Sequence, residues 1–216
     1  MNEPLLLIDD VCLSYGERHV LCHINKSLYP KDFIVLTGPN GGGKTTLLRL
    51  IAGLQTPTRG RIVRRKGVVT GYLPQYRHID RQFPATVSDI VRSGLECRKR
   101  LWQRFTKEHD ELLAETLERF DLTALRKRPI SDLSGGQWQR TLLARAMVSK
   151  PDLVLLDEPE THLDEATRND LYAMLTEWSG TCAFVVVSHD ERHFPAIASR
   201  RIWHVENQQV CEQTEW

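Results

Sequence analysis

Eight consecutive residues, Gly38-Pro39-Asn40-Gly41-Gly42-Gly43-Lys44-Thr45, restrict this chain more than any other segment. Their spacing, G-x-x-x-x-G-K-[ST], builds a phosphate cradle only where a strand leads in and a helix leads out. Both flanks are present: Phe33–Thr37 is a short apolar run of strand character, and 44–52 reads as a helix. The glycines let backbone N–H groups close around phosphate oxygens, and the helix N-terminus adds a favourable dipole. Lys44 is expected to reach the β- and γ-phosphates of a nucleotide and Thr45 to ligate Mg²⁺.

Two later apolar runs, 153–156 and Ala183–Val187, do not alternate and so predict strands buried on both faces of a parallel sheet. Between them Glu165–Trp178 places Ala166, Leu171, Met174, Leu175 and Trp178 on one helical face, as a right-handed βαβ crossover requires. Segments 5–15 and 19–29 read as an antiparallel pair turning at Gly16 and Glu17. From 86 to 147 the pattern is helical only: 86–95, where Thr86 and Asp89 are spaced as a capping box, then 107–120, then 135–149. A short strand, 201–205, closes the chain. The predicted fold is α/β: a P-loop NTPase core with a mostly parallel sheet and helices on both faces, an antiparallel β subdomain, and an inserted helical subdomain at about 77–147. All of it is expected within one domain, 1–216, and no internal repeat marks a second motor unit.

Lys and Arg number 29 against 28 Asp and Glu, a net charge of +1. That balance argues against a protein held mainly by phosphate backbones, and no nucleic-acid partner is expected. The first ten residues carry Glu3, Asp9 and Asp10 around one short apolar run, unlike a secretory leader. The apolar runs fall far short of the roughly 20 residues that span a bilayer. Five cysteines without a C-x-x-C pair point to reduced thiols rather than a disulfide framework or a zinc finger. These features predict a soluble, intracellular chain.

The run 153–156 ends in Asp157 and Glu158, so a buried strand delivers two carboxylates to the sheet edge where ligands bind in open α/β folds. Asp157 is suited to holding Mg²⁺, and Glu158 to polarising or deprotonating an attacking water. A third motif, Leu133-Ser134-Gly135-Gly136-Gln137, opens a helix and offers a second phosphate site at its N-terminus. One chain needs one cradle, so the spare makes sense as part of another subunit's site. Ser134 and Gln137 also have the spacing of a plain S-x-x-Q capping box, and that reading stays open.

In this order the motifs resemble those of the ABC ATPase family, over essentially the whole chain. The resemblance implies that Tyr15 stacks on adenine, that Gly38 to Thr46 form the Walker A loop, and that Gln75 is the Q-loop glutamine, near Mg²⁺ and the reacting phosphate. Asp157 and Glu158 match Walker B and the catalytic glutamate, and Leu133 to Gln137 the signature motif, with Ser134, Gly135, Gly136 and Gln137 acting in trans. Asp164 falls in the D-loop, and His189, in Ser188-His189-Asp190, matches the switch histidine. It further implies ATP and Mg²⁺ as cofactors, and a homodimer through shared ATP sites. Membrane-spanning permease subunits and a substrate-binding protein would be partners, on the cytoplasmic face of the cell membrane.

Within the family, Tyr72-Leu73-Pro74-Gln75 followed by Ile79-Asp80, Phe83-Pro84, Thr86-Val87 and Asp89 is similar to the ATP-binding subunits of zinc/manganese-type importers. Ile79, Phe83 and Val87 would there offer apolar groups to the membrane partner. Two features depart from the family pattern. Glu160 stands where threonine is usual, and Thr161-His162 before Leu163-Asp164 resembles the Asn-His-Leu-Asp of tandem, translation-associated ABC proteins. The alternative function is therefore a soluble ABC ATPase acting on ribosomes or nucleic acid.

Overall fold

A computed structural model describes residues 3–75, 81–98, 103–161, 163–188, 197 and 200–213. Two sheets organise it. Strands β1 (Leu6–Tyr15), β2 (Arg18–Leu28) and β4 (Arg59–Arg64) form an antiparallel sheet of order β2-β1-β4. Strands β3 (Phe33–Thr37), β5 (Thr70–Leu73), β6 (Leu153–Asp157), β7 (Ala183–Val187), β8 (Arg200–Glu206) and β9 (Gln209–Gln213) form the second, of order β5-β6-β7-β3-β8-β9. Its pairings are parallel except β8 with β9, which is a closing hairpin. Asp164 caps the intervening helix α5 (Glu165–Trp178), which connects the parallel neighbours β6 and β7.

The central strands are apolar throughout because each face has its own core. Ile34 and Leu36 of β3 pack with the helix α1 (Lys44–Ala52) and the antiparallel sheet. Phe33 and Val35, one residue out of phase, pack with the helices of the opposite face. The two-residue period of a strand thus divides one sequence run between two cores. Between β5 and β6 the described chain holds helices and turns only: α2 (Val87–Ser93), α3 (Lys107–Arg119), α4 (Gly135–Met147) and three short 3₁₀ turns.

Most elements agree with the sequence expectations, and the differences have local causes. The capping box at Thr86 forms: Asp89 N–H donates to the Thr86 hydroxyl, and the Asp89 carboxylate accepts from Thr86 N–H at 2.9 Å. That cap turns Val87, the first residue of α2, inward, so Val87 is fully buried and offers nothing to a partner, while Phe83 is 64% exposed. On α5 the buried stripe is Leu171, Tyr172, Leu175 and Trp178; Ala166 lies in the exposed first turn and does not join it. Ile79, Asp80, His162, His189 and Asp190 lie outside the described residues.

Candidate nucleotide site

The loop 38–43 leaves β3 and enters α1 through backbone conformations that a side chain resists. Gly38 has φ 130°, and a Cβ there would sit 2.2 Å from the Val205 carbonyl oxygen. Gly43 caps α1 in the left-handed region, with φ 105°. Lys44, 5% exposed, folds its ammonium onto the loop, donating to the carbonyls of Gly38 at 2.8 Å and Pro39 at 3.0 Å. Burial pushes this ammonium below its ordinary pKa, opposed by the charges of Glu158 and Asp157.

Parallel pairing brings the end of β6 beside the loop. Thr45 Oγ1 donates to Asp157 Oδ1 at 3.1 Å, while Asp157 Oδ2 is buried and receives no hydrogen bond from a described residue. Burial raises the Asp157 carboxyl above the usual carboxylate range; the Thr45 hydroxyl lowers it and the charge of Glu158 raises it further. A hydroxyl and an unfilled carboxylate oxygen side by side are hard oxygen donors, the set Mg²⁺ takes. Glu158 follows with φ 50°, a left-handed conformation rare outside glycine and found disproportionately at functional sites. Its Oε2 accepts from Gln75 Nε2 at 2.8 Å and Thr161 Oγ1 at 3.4 Å. The Gln75 amide nitrogen is thereby engaged.

Lys44, Thr45, Gln75 and Glu158 line one cavity of about 460 Å³, together with Tyr15, Arg18, Val20, Asn40, Gly41, Gly43 and Thr46. Its volume is within the usual range for small-molecule sites. Tyr15 is 55% exposed at its mouth, and its hydroxyl accepts from Gln55 Nε2 at 2.5 Å. The sequence profile of the ABC transporter family matches residues 21–161. The chain belongs to this family. It is an ATP-binding and ATP-hydrolysing subunit of an ABC transporter.

Similarity extends well beyond the profile. The zinc import ATP-binding protein ZnuC of Haemophilus influenzae is 35% identical over 214 residues, 97% of this chain and 74% of that protein. ZnuC of Alcanivorax borkumensis is 40% identical over 194 residues, 88% of this chain and 71% of the relative. A metal-chelate type ABC transporter solved in an inward-facing conformation superposes with a TM-score of 0.86 at 28% identity, covering 98% of this chain and 83% of that one. An ABC transporter cassette in its ADP conformation shares the fold, with a TM-score of 0.81 at 20% identity, over 99% of this chain and 92% of that one.

Ser134, Gly135, Gly136, Gln137 and Asp164 of this ABC ATPase are not on the walls of that cavity. Ser134 caps α4, and its hydroxyl accepts from Gln137 N–H at 3.2 Å while Gln137 Oε1 accepts from Ser134 N–H at 3.1 Å. The capping box anticipated as the plainer reading is thus real, though it leaves Gly135 unexplained: a Cβ there would meet nothing within 4 Å. Asp164 accepts from Thr167 N–H at 2.8 Å, and that bond, then the Thr167 hydroxyl, holds its carboxyl below the usual range.

Sequence reasoning missed two side chains that brace these motifs. Arg81 donates to the Leu133 carbonyl, just before the signature serine, and its guanidinium lies 6.0 Å from the Trp138 ring centroid. Gln139 of α4, 4% exposed, donates to the carbonyl of Pro159, next to Glu158, at 2.5 Å. A glutamine among apolar neighbours of a helix was the available signal for Gln139; Arg81 has none in its local sequence. Arg18, on the cavity wall, was also unassigned, although it follows Tyr15 by only three positions.

Proposed function

We propose that the chain is the ATPase subunit of a divalent transition-metal importer, with zinc as the first candidate cargo. It would act on the cytoplasmic face of a membrane permease that receives its ion from a substrate-binding protein. The support for the cargo is the zinc import activity named for relatives that align over 88–97% of this chain. The same alignments favour a transport subunit over a soluble ATPase of ribosomes or nucleic acid.

In this reading Tyr15 stacks on adenine, and Gly38 to Thr46 enclose the phosphates through backbone N–H groups and Lys44. Thr45, Asp157 and Gln75 would hold Mg²⁺, which would supply positive charge against the phosphates. Glu158 takes a proton from the attacking water as general base, oriented by Gln75 and Thr161; His189 contacts the γ-phosphate. The observation that carries this assignment is the pair of oxygens Thr45 Oγ1 and Asp157 Oδ2, the second buried with no donor among the described residues.

A second copy completes the site. Ser134, Gly135, Gly136 and Gln137 bind the γ-phosphate held by the partner, and Asp164 lies along the same seam. Among the described residues nothing lies within 4 Å of a Cβ placed at 135, and glycine is costly in a helix, so its use fits a surface that a phosphate approaches. The test is transport: cells depending on this chain for zinc uptake should lose accumulation of radioactive zinc when it carries Lys44→Ala. Normal zinc uptake with defective uptake of another solute would reassign the cargo.

A further inference from the structure

Glu160 stands where the family usually has threonine, and its surroundings give that substitution a task. Its Oε1 accepts from the Ser188 hydroxyl at 2.6 Å, and Ser188 is 1% exposed. A hydrogen bond onto a carboxylate is stronger than one between neutral groups. Threonine ends two carbons nearer the backbone and would not bring an oxygen to the same place. Glu160 Oε2 is buried and receives no hydrogen bond from a described residue. A half-satisfied carboxylate is a poor device for stability alone, since an unmet buried acceptor is destabilising.

What Glu160 holds is the turn that carries Glu158. Thr161 N–H donates to the Glu158 carbonyl at 3.2 Å, closing that turn, while Glu158 itself sits at φ 50°. The turn is gripped on one side by Gln139 of α4, at the Pro159 carbonyl, and on the other by Ser188 at the exit of β7, through Glu160. Backbone bonds fix the β7 end of this grip: Glu158 N–H donates to Val187 O at 3.1 Å and Ser188 N–H to Leu36 O at 3.2 Å.

We propose that Glu160 is a positioning residue that, through Ser188, locks the Glu158 turn in its left-handed conformation and so aims the Glu158 carboxylate. The inference rests on Glu158 being the general base. It predicts a kinetic effect without a binding effect, because neither Glu160 nor Ser188 lines the nucleotide cavity.

The test is steady-state ATP turnover by the full chain carrying Glu160→Thr, Glu160→Gln, Ser188→Ala or the Glu160→Thr/Ser188→Ala pair, with Glu158→Gln alongside. Glu160→Thr and Ser188→Ala should each lower kcat about tenfold, since misplacing a catalytic group acts on the chemical step, with KM for ATP changed less than about twofold. The double variant should match either single one, because both cut the same link. Glu160→Gln keeps an acceptor oxygen and should recover most of kcat. Wild-type kcat in Glu160→Thr, additive losses in the double variant, or a lower melting temperature at unchanged kcat would each overturn the latch. Loss of turnover in Glu158→Gln confines such a failure to the latch; full turnover there removes the general base and the latch together.

Discussion

Replacing Asp157 by asparagine should stabilise the nucleotide-free protein while destroying its response to Mg²⁺. Asp157 is 1% exposed, with Thr45 as donor to one oxygen and, among the described residues, no donor to the other. An unmet buried acceptor costs on the order of 1–3 kcal/mol, and more when the group is charged. Lys44 relieves little of this, because its ammonium is already bonded to the Gly38 and Pro39 carbonyls. Asparagine keeps the acceptor for Thr45 and removes the charge, but leaves an N–H unmet, so the net gain should be about 1 kcal/mol. For a chain of this size that corresponds to roughly 2–4 °C in Tm. The pH dependence follows from burial, which holds the folded carboxyl above its model-compound value of 3.8. Between the two values the folded protein keeps a proton that the unfolded chain has released. This group's contribution is full below the unfolded value and is lost as pH rises through the folded one, so the variant should gain most at neutral pH. Calorimetry without nucleotide, from pH 5 to pH 8, should show Asp157→Asn melting above wild type at the upper end, and ATP with Mg²⁺ should raise only the wild-type Tm strongly. A variant that melts below wild type at pH 8 without ligands would refute the reasoning.

Tyr15→Ala should weaken ATP binding by on the order of 1–3 kcal/mol, the scale of base stacking on an aromatic ring, with little change in Tm; isothermal titration measures it, and unchanged affinity would remove Tyr15 from the base contact. Gln139→Ala strands the Pro159 carbonyl in the interior and should cost about 1–3 kcal/mol in urea unfolding, with a fall in kcat. A neutral result in both would mean that α4 does not brace the catalytic turn. Phe83→Asp should release the chain from purified membranes while sparing its basal ATP turnover, since Phe83 is exposed and does not line the nucleotide cavity; full retention on membranes would place docking elsewhere.

The nucleotide cradle was legible because its residue types are dictated by backbone and phosphate together, independent of the rest of the fold. The capping boxes at Thr86 and Ser134 were legible for a similar reason: each is a contact over three residues. The strands β4 and β5 left weaker marks. β4, Arg-Gly-Arg-Ile-Val-Arg, is an edge strand with little burial, and β5 has four residues including Gly71, so neither presents a period to read. Ala166 and Val87 were misplaced because periodicity gives a face but not where the neighbouring element ends. The braces Arg81, Gln139 and Glu160 meet partners 20–52 residues away, and only the folded chain brings those together.

The central claim is that one catalytic site needs two copies of this chain, and the mass of the Glu158→Gln protein in solution tests it most directly. Glutamine keeps the size of Glu158 but cannot accept the proton of the attacking water, so ATP should remain intact and bridge the loop of one copy to Ser134 and Gly135 of the other. Light scattering should report a dimer with ATP and Mg²⁺, a monomer with ADP, and a monomer with ATP when Ser134→Arg is added. A Glu158→Gln protein that binds ATP yet remains a monomer, alone and with its membrane partner, would contradict the shared site.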